Sequence, residues 1–274
     1  MEPLAAVEEQ ILRRLREAER VFCFLDYDGT LAPLAPTPDQ ARHLAGTAPL
    51  LRGLAEAPGT RVAVVSGRPI ADLRRFLDTA GVYYVGLHGL EVCVPGGKTE
   101  LTEDVAAVQA ILPEIRRGLE ESLDGRPGVL IEDKGAALAC HYRLASQADA
   151  VVVRQTLAAA VDLYQQKGVP LTLMHGHEVT EIRPSGANKG KTVCRLLAAY
   201  SSAALAVYIG DDQTDEDAFA LLPAESITIR VGSSTVPTVA RYRIEDPAAV
   251  QRFLGALLEH RRGRGQTAMQ ASEG

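Results

Sequence analysis

An apolar run that ends in two aspartates most constrains how this chain can fold. Residues 21–25 are apolar and rich in β-forming side chains, which is typical of a strand buried on both faces of a parallel sheet. Asp26, Asp28 and Gly29 follow the run directly. Open α/β sheets bind ligands beyond the carboxyl ends of their strands, and carboxylates there suit a hard cation such as Mg²⁺ together with a phosphate. The alternative is a polar turn that only caps a core strand.

The length and charge of the chain narrow its class. Its 274 residues suggest about two domains, each with a core of its own. The formal net charge of −6 argues against a nucleic-acid surface, and no apolar run is long enough to cross a bilayer. Residues 1–20 have the spacing of an amphipathic helix and lack the apolar centre of a signal peptide. The four cysteines lie far apart, which favours buried free thiols in a reducing compartment. We therefore expect a cytoplasmic monomer without nucleic-acid or membrane partners.

Apolar strands and helices alternate along most of the chain. Further strands are predicted at 61–65, 82–85, 205–209 and 226–231, with helices at 46–57, after Pro69 and at 190–200. Three of the predicted strands end in Asp26, Ser66 and Asp211. The carboxyl ends of parallel strands meet at one edge of a sheet, so we expect these three side chains to form a single site.

The segment 102–183 departs from this alternation. Helices at about 103–123 and 148–167 each precede a pair of short strands, which predicts two helix-strand-strand units with an antiparallel sheet. The fold class is therefore α/β, with a Rossmann-like parallel-sheet core and an inserted α/β domain. The predicted boundaries are 1–101 and 184–262 for the core, 102–183 for the insert, and 263–274 for a disordered tail of low apolar content.

Polar side chains alternate along the strands predicted for the insert. The pairs two residues apart are Glu132 with Lys134, His141 with Arg143, and Glu181 with Arg183. In a strand, both members of such a pair face the same way. The pattern is compatible with a solvated outer face and with a lid whose polar groups bind a sugar. The turn at His175–His177 is interpreted as a plain hairpin turn, because no third metal ligand is in view.

The segment 184–193 nearly forms a nucleotide-binding P-loop. It matches the end of that motif but has Ser185 where the first glycine belongs. A P-loop would also leave the aspartates after the first strand unexplained. We favour Lys189 as an anion-binding group at a helix N-terminus, with a solvated helix start as the alternative.

A second acidic cluster lies between residues 210 and 219. It has four aspartates and one glutamate within seven positions, and Glu216 occupies the place where an EF-hand needs glycine. Asp211, at a strand end, is a predicted metal ligand. Asp215 is a second candidate, in contact with the metal directly or indirectly, or a helix N-cap. For the remaining acidic residues a solvated helix start is at least as good an interpretation.

Together these segments resemble, in order, the four motifs of the haloacid dehalogenase-like phosphatases. The matching segments are Asp26-Tyr-Asp-Gly-Thr30, Ser66-Gly-Arg68, Lys189 and Gly210-Asp-Asp-Gln-Thr-Asp215. Within that superfamily the chain resembles the trehalose-6-phosphate phosphatase family over roughly residues 21–247. Five further segments carry this closer match: Gly86-Leu-His-Gly-Leu-Glu91, Glu132-Asp-Lys134, His141-Tyr-Arg143, Glu181-Ile-Arg-Pro184 and Asn188-Lys-Gly190. The resemblance implies a hydrolase core of the haloacid dehalogenase type, with the insert as a cap.

The resemblance also implies an activity and a role for each site residue. It implies Mg²⁺-dependent hydrolysis of trehalose 6-phosphate, the last step of trehalose biosynthesis, through an aspartyl-phosphate. Asp26 would be the nucleophile and Asp28 the general acid and base, while Ser66 and Lys189 would hold phosphoryl oxygens. The metal ligands would be Asp26, Asp28 through its main-chain carbonyl, Asp211 and Asp215. The substrate-binding residues would be Gly67, Arg68, His88, Glu132, Lys134, Arg143 and Glu181.

Two alternatives to this activity stay open. One is a phosphatase for another sugar phosphate, such as sucrose or glucosylglycerol phosphate. The other is a catalytically silent module that binds sugar phosphates. A module that only binds need not keep both a nucleophile and an acid, so the presence of Asp26 and Asp28 argues against it.

Overall fold

The chain forms two compact units. The computed structural model describes residues 2–35, 37–101, 103–176, 178–186, 188–233 and 235–272. Met1–Glu100 and Asn188–Gly274 make up the core unit, and Leu101–Ala187 makes up the cap unit. The insert expected from the sequence, residues 102–183, falls within the cap unit.

Thirteen strands and eight α-helices are present in the described residues. The strands are β1 (Glu2–Pro3), β2 (Val21–Asp26), β3 (Thr60–Val65), β4 (Tyr83–Gly86), β5 (Glu91–Cys93), β6 (Thr99–Leu101), β7 (Leu130–Asp133), β8 (Leu138–His141), β9 (Leu171–Gly176), β10 (Val179–Pro184), β11 (Leu205–Gly210), β12 (Ile227–Val231) and β13 (Tyr242–Ile244). The helices are α1 (Glu8–Glu17), α2 (Thr47–Glu56), α3 (Ile70–Phe76), α4 (Glu103–Ser122), α5 (Gln147–Gln166), α6 (Lys189–Tyr200), α7 (Glu216–Leu221) and α8 (Pro247–Ser272).

The predicted parallel sheet is confirmed, with β2 near its centre. The strand order is β1-β13-β12-β11-β2-β3-β4-β5-β6. Pairing is parallel from β1 through β4, and β4 and β5 pair antiparallel. All six residues of β2 are buried, because apolar clusters cover both faces of the sheet. Leu25 belongs to the cluster on one face and Phe24 to the cluster on the other. A strand buried in this way explains the continuous apolar run in the sequence.

The cap unit has the predicted antiparallel sheet. Its strand order is β7-β8-β10-β9, with antiparallel pairing throughout. Helices α4 and α5 contribute apolar side chains such as Leu112 and Leu157 to a cluster that also holds Leu138, Cys140 and Ile182 of the sheet. The residues that alternate with these in the strands face away from that cluster.

The short strands and the end of the chain differ from the sequence predictions. Strands β1, β5, β6 and β13 have two or three residues each, too few to show a periodic pattern. The tail predicted to be disordered from residue 263 is wrong up to Ser272, because α8 continues to that residue. Its alanine, glutamine and methionine residues favour helix, which outweighs its low apolar content. Residues 273 and 274 lie outside the described residues.

The structure also describes the state of the cysteines and the apolar character of the helices. All four cysteines are free; Cys23, Cys93 and Cys140 are buried and Cys194 is half-buried. Among the described residues, no helix combines the length and the apolar character that crossing a membrane requires.

Arg261 anchors α8 to the start of the core unit. Its side chain is completely buried, and its Nη1 donates to the main-chain oxygens of Leu15 and Ala18 at 2.8 and 2.7 Å. Nη2 donates to the oxygen of Pro58 at 2.8 Å, and Nε to Oγ1 of Thr60 at 2.9 Å. One guanidinium therefore satisfies the carbonyl groups at the end of α1 and in the turn before β3.

We expect Arg261→Met to lower the free energy of unfolding by about 3 kcal/mol, because buried carbonyl groups then lose their donor. Urea denaturation followed by circular dichroism measures this change. The matched control is Arg262→Met, since Arg262 is exposed and should change stability by less than about 0.5 kcal/mol. Equal stability of both variants would contradict the anchoring role.

Candidate active site

Three strand ends bring the predicted site residues to one edge of the sheet. Asp26 pairs with Val65 of β3, and Leu25 pairs with Ile209 of β11. Ser66 and Asp211 therefore leave the sheet beside Asp26, as predicted. Both Asp26 and Ser66 are buried. Polar groups buried this deeply need partners, and those partners define the chemistry of the site.

Lys189 links two of the carboxylates. It is the first residue of α6, and its side chain is 2% exposed. Its Nζ donates to Oδ1 of Asp26 at 2.7 Å and to Oδ1 of Asp215 at 2.8 Å. Burial lowers the pKa of Lys189, but Asp26 and Asp215 outweigh it, so the pKa lies above its ordinary value. The ammonium therefore stays charged between the two carboxylates.

The carboxylates outnumber the cations at this edge. Asp26, Asp211 and Asp215 each place a carboxylate oxygen within 4.8 Å of the others. Burial raises the pKa of Asp26 well above its ordinary value, an effect that Lys189 opposes and the other two aspartates reinforce. Burial together with Asp215 and Asp212 raises the pKa of Asp211 to about 6. A second positive charge would relieve this repulsion.

Asp211 offers a ligand atom for such a charge. Its Oδ1 is buried and has no hydrogen-bond partner among the described residues. Gly29, with φ at +77°, lets this carboxylate approach the loop after β2, since a Cβ there would lie 2.0 Å from Oδ2 of Asp211. Hard oxygen donors around an unpartnered buried carboxylate oxygen fit Mg²⁺.

Asp215 already has three donors. Its Oδ1 accepts from Lys189 and, at 2.8 Å, from the hydroxyl of Tyr208, while its Oδ2 accepts from the main-chain N of Asp212 at 2.9 Å. This carboxylate therefore orients Lys189 and closes the turn after β11. Its role as a metal ligand stays a prediction.

Asp28 and Arg68 form a bidentate ion pair. Nε of Arg68 donates to Oδ2 of Asp28 at 2.7 Å and Nη2 to Oδ1 at 2.6 Å. The guanidinium also lies over the rings of Tyr27 and Phe76, 5.6 and 5.1 Å from their centroids. Arg68 was expected to bind the substrate, and here it holds the carboxylate predicted to be the general acid.

Two main-chain hydrogen bonds join the loop after β3 to the loop after β4. The main-chain N–H of His88 donates to the main-chain oxygen of Ser66 at 3.0 Å. The main-chain N–H of Leu87 donates to the main-chain oxygen of Arg68, also at 3.0 Å. Both donors have positive φ, 57° for His88 and 48° for Leu87, a strain that tends to occur at functional sites. Gly67 permits this contact, because a Cβ there would lie 2.5 Å from Cε1 of His88.

The side chain of Glu91 also joins these two segments, through the first residue of α3. Its Oε2 accepts from the main-chain N of Ile70 at 2.6 Å, which satisfies a free donor at the start of α3. Burial raises the pKa of Glu91. The glutamate of the Gly86–Glu91 motif thus has a structural role in the core unit.

Two further acidic residues of the cluster after β11, Glu216 and Asp217, bond to protein groups. Arg230, buried in β12, donates to the main-chain oxygen of Asp212 at 3.0 Å and to Oε1 of Glu216 at 2.9 Å. Nδ2 of Asn188 donates to Oδ2 of Asp217 at 3.0 Å. Asp217 is exposed in the first turn of α7, which agrees with a solvated helix start, whereas Glu216 is half-buried and paired with Arg230. The sequence analysis missed Arg230, since it lies within an otherwise apolar strand with no motif around it.

The cap unit carries its own polar cluster. Glu132 and Glu181 flank Ala139 in the register of β7, β8 and β10. Oε2 of Glu132 lies 2.8 Å from Nε2 of His141, and Nζ of Lys134 donates to Oε1 of Glu181. Three of the predicted substrate-binding residues therefore share one face, and His141, which was not predicted as a site residue, joins them.

Arg143 follows the end of β8 and pairs with a different carboxylate. β8 ends at His141, so the strand geometry that would align Arg143 with it does not hold. Arg143 instead donates to Oε2 of Glu178 at 3.2 Å, in an exposed pair. Of the turn predicted at His175–His177, His175 and Gly176 are the last residues of β9 and pair with β10, and His177 lies outside the described residues.

Comparisons with known proteins agree with this geometry. The family model described as trehalose-phosphatase matches residues 24–248. A trehalose-phosphate phosphatase of Mycolicibacterium paratuberculosis is 35% identical over an alignment of 255 positions, which covers 88% of this chain and 63% of that protein. A probable trehalose-phosphate phosphatase 4 of Oryza sativa subsp. japonica is 32% identical over 93% of this chain and 70% of its own length.

A solved structure extends the likeness to three dimensions. The structure of Aspergillus fumigatus trehalose-6-phosphate phosphatase aligns with a TM-score of 0.75 and 26% identity, over 92% of this chain and 97% of that one. The chain spans 63% of the length of the Mycolicibacterium relative. Since the matched residues 24–248 include all the strand ends described above, the chain belongs to the trehalose-phosphatase family.

Proposed function

We propose that this protein is a Mg²⁺-dependent phosphatase that hydrolyses trehalose 6-phosphate through an aspartyl-phosphate on Asp26. The observation that carries the proposal is the carboxylate of Asp26, 2.7 Å from the ammonium of Lys189 and beside the unpartnered buried oxygen of Asp211. Nucleophilic carboxylate, fixed cation and open oxygen ligand are the three parts that phosphoryl transfer to an aspartate requires.

The metal is proposed from the donor set. Asp26 and Asp211 would hold it, together with the main-chain carbonyl of Asp28. When bound, Mg²⁺ neutralises charge on the phosphoryl oxygens and orients them. In this proposal Asp215 serves the site through Lys189, because its Oδ1 accepts from both Lys189 and Tyr208.

In the first half-reaction a carboxylate oxygen of Asp26 bonds to phosphorus, and the bond between phosphorus and the sugar oxygen breaks. Lys189 and Ser66 bind phosphoryl oxygens as charge spreads over them. Asp28 gives a proton to the departing sugar oxygen, a contribution of about 10²–10⁴-fold for general acid catalysis. For this step Asp28 must leave its ion pair with Arg68 and take up a proton from water, because only the protonated carboxyl group can donate to the sugar oxygen.

In the second half-reaction water attacks the phosphorus of the aspartyl-phosphate. Asp28 takes the proton from that water, and the bond between phosphorus and the Asp26 oxygen breaks. Inorganic phosphate leaves, and Asp26 returns to its carboxylate form. Asp28 can serve as acid and then as base because the first step leaves it as a carboxylate, which is the form that accepts a proton in the second step.

The substrate is proposed from the relatives and from the polar face of the cap unit. The relatives named above are trehalose-phosphate phosphatases. A disaccharide has many hydroxyl groups, which need several hydrogen-bond donors and acceptors close together. This face supplies them from Glu132, Lys134, His141 and Glu181. We propose that this face, which the sequence left open between a solvated surface and a lid, binds the sugar.

We expect the wild-type protein to release phosphate from trehalose 6-phosphate much faster than from glucose 6-phosphate or sucrose 6-phosphate. Asp26→Asn should reduce this turnover to below about 10⁻³ of wild type, because the amide is not a nucleophile. A phosphate-release assay with Mg²⁺ measures both.

The matched control for this substitution is Asp78→Asn, on an exposed side chain outside the site. It should keep full activity. Equal rates on all the sugar phosphates would contradict the substrate assignment alone. Activity of Asp26→Asn above about 10⁻³ of wild type would contradict the nucleophile.

Glu132→Ala should lower kcat/KM for trehalose 6-phosphate by about 10–100-fold, the loss expected for a hydrogen bond from a sugar hydroxyl to a charged group. Hydrolysis of p-nitrophenyl phosphate, which has no sugar, should change less than about threefold. Steady-state kinetics on the two substrates give the comparison, with the exposed Glu121→Ala as control. Equal losses on both substrates would rule out a sugar-binding role for Glu132.

A further inference from the structure

Tyr208 ends a chain of hydrogen bonds that leads to Asp26. Its side chain is completely buried in β11, and its hydroxyl donates to Oδ1 of Asp215 at 2.8 Å. The same oxygen accepts from Nζ of Lys189 at 2.8 Å, and that ammonium donates to Asp26 at 2.7 Å. Three hydrogen bonds therefore join a tyrosine in the sheet to the proposed nucleophile.

The surroundings of Tyr208 do not account for its hydroxyl. Its ring packs on the rings of Phe24 and Phe219, with centroids 6.5 and 5.5 Å away. A phenylalanine would fill this space equally well, and a buried hydroxyl costs free energy unless it is bonded. The hydroxyl makes its one described hydrogen bond to Asp215. The difference between tyrosine and phenylalanine here is thus the bond to that carboxylate.

Loss of that bond would loosen the carboxylate. Asp215 has two other donors, Lys189 on Oδ1 and the main-chain N of Asp212 on Oδ2. The hydroxyl of Tyr208 comes from a buried central strand of the sheet and donates to the same oxygen as Lys189. With it, the carboxylate is held by donors on three elements, and its rotation about the Cβ–Cγ bond is fixed.

We propose that Tyr208 is a positioning residue for phosphoryl transfer, which acts through Asp215 to hold the Lys189 ammonium where a phosphoryl oxygen binds. This role rests on the proposed function of the same site. A cation that stabilises developing charge works best when it is already in place, and a displacement of about 1 Å can cost about a hundredfold in rate. Tyr208 supplies that fixed placement from outside the substrate's reach.

The test compares Tyr208→Phe with Tyr84→Phe. Tyr84 is also buried in the sheet, but its hydroxyl bonds to the main chain of Leu77 and Thr79, away from the carboxylate cluster. Each variant loses one buried hydroxyl, so their melting temperatures should fall alike. Isothermal titration calorimetry with inorganic phosphate and Mg²⁺ measures the anion site without turnover. Tyr208→Phe should weaken phosphate binding and lower kcat by about tenfold each, and Tyr84→Phe should change both by less than about twofold.

Each outcome decides the proposal. A phosphate Kd for Tyr208→Phe within about twofold of Tyr84→Phe would overturn it and leave the hydroxyl with a purely structural role. Wild-type protein that binds phosphate yet hydrolyses no phosphate ester would refute the proposed function, and the two dissociation constants would still decide the role of Tyr208. Absence of phosphate binding to wild type would overturn both.

A second pair of variants guards against misfolding of Tyr208→Phe. Tyr208→Gln keeps a hydrogen-bond donor, whereas Tyr208→Leu has none, and both lose the ring. Tighter phosphate binding by Tyr208→Gln than by Tyr208→Leu supports the role of the hydroxyl. Equal affinities of these two variants overturn it.

Discussion

The site depends on one buried ammonium held between two carboxylates. Lys189 donates to Asp26 and Asp215 from a position that is 2% exposed, and neither the lysine nor the aspartates would be charged at such depth without the others. Such a pair is weak evidence for added stability, because desolvation offsets much of the attraction. The contribution of these ion pairs is that they fix the position of the Lys189 ammonium. The ammonium lies at the end of β2, where the carboxylate of Asp26 leaves the sheet.

The rest of the core unit fixes the groups around this ammonium. β11 supplies Tyr208 and Asp211, β12 supplies Arg230 beneath the turn after β11, and Gly29 admits the Asp211 carboxylate. Arg68 holds the side chain of Asp28 in a bidentate pair. The Lys189 network is buried, whereas the carboxylate of Asp28 is about one third exposed. In the proposed reaction it is Asp28 that has to change partners.

Sequence patterns predicted the groups that lie at strand ends. The apolar runs before Asp26, Ser66 and Asp211 place these residues at one sheet edge, and strand pairing confirms that placement. The same reasoning fails for Tyr208 and Arg230, which lie inside buried strands. A tyrosine in a strand cannot be told by sequence from other β-forming residues, and a single arginine there belongs to no recognisable pattern. A spacing of two residues does not show where a strand ends, and β8 ends before Arg143, whose binding to substrate stays a prediction.

The central claim is that Asp26 and Asp211 share a cation while Asp215 serves Lys189. A crystal structure with Mg²⁺ and beryllium trifluoride, a mimic of the phosphoryl group, tests it most directly. We expect the mimic to be bonded to Asp26, the metal to lie about 2.1 Å from oxygens of Asp26 and Asp211, and Asp215 to stay hydrogen-bonded to Lys189 and Tyr208. Metal bound directly by Asp215, with Lys189 released from it, would contradict the account.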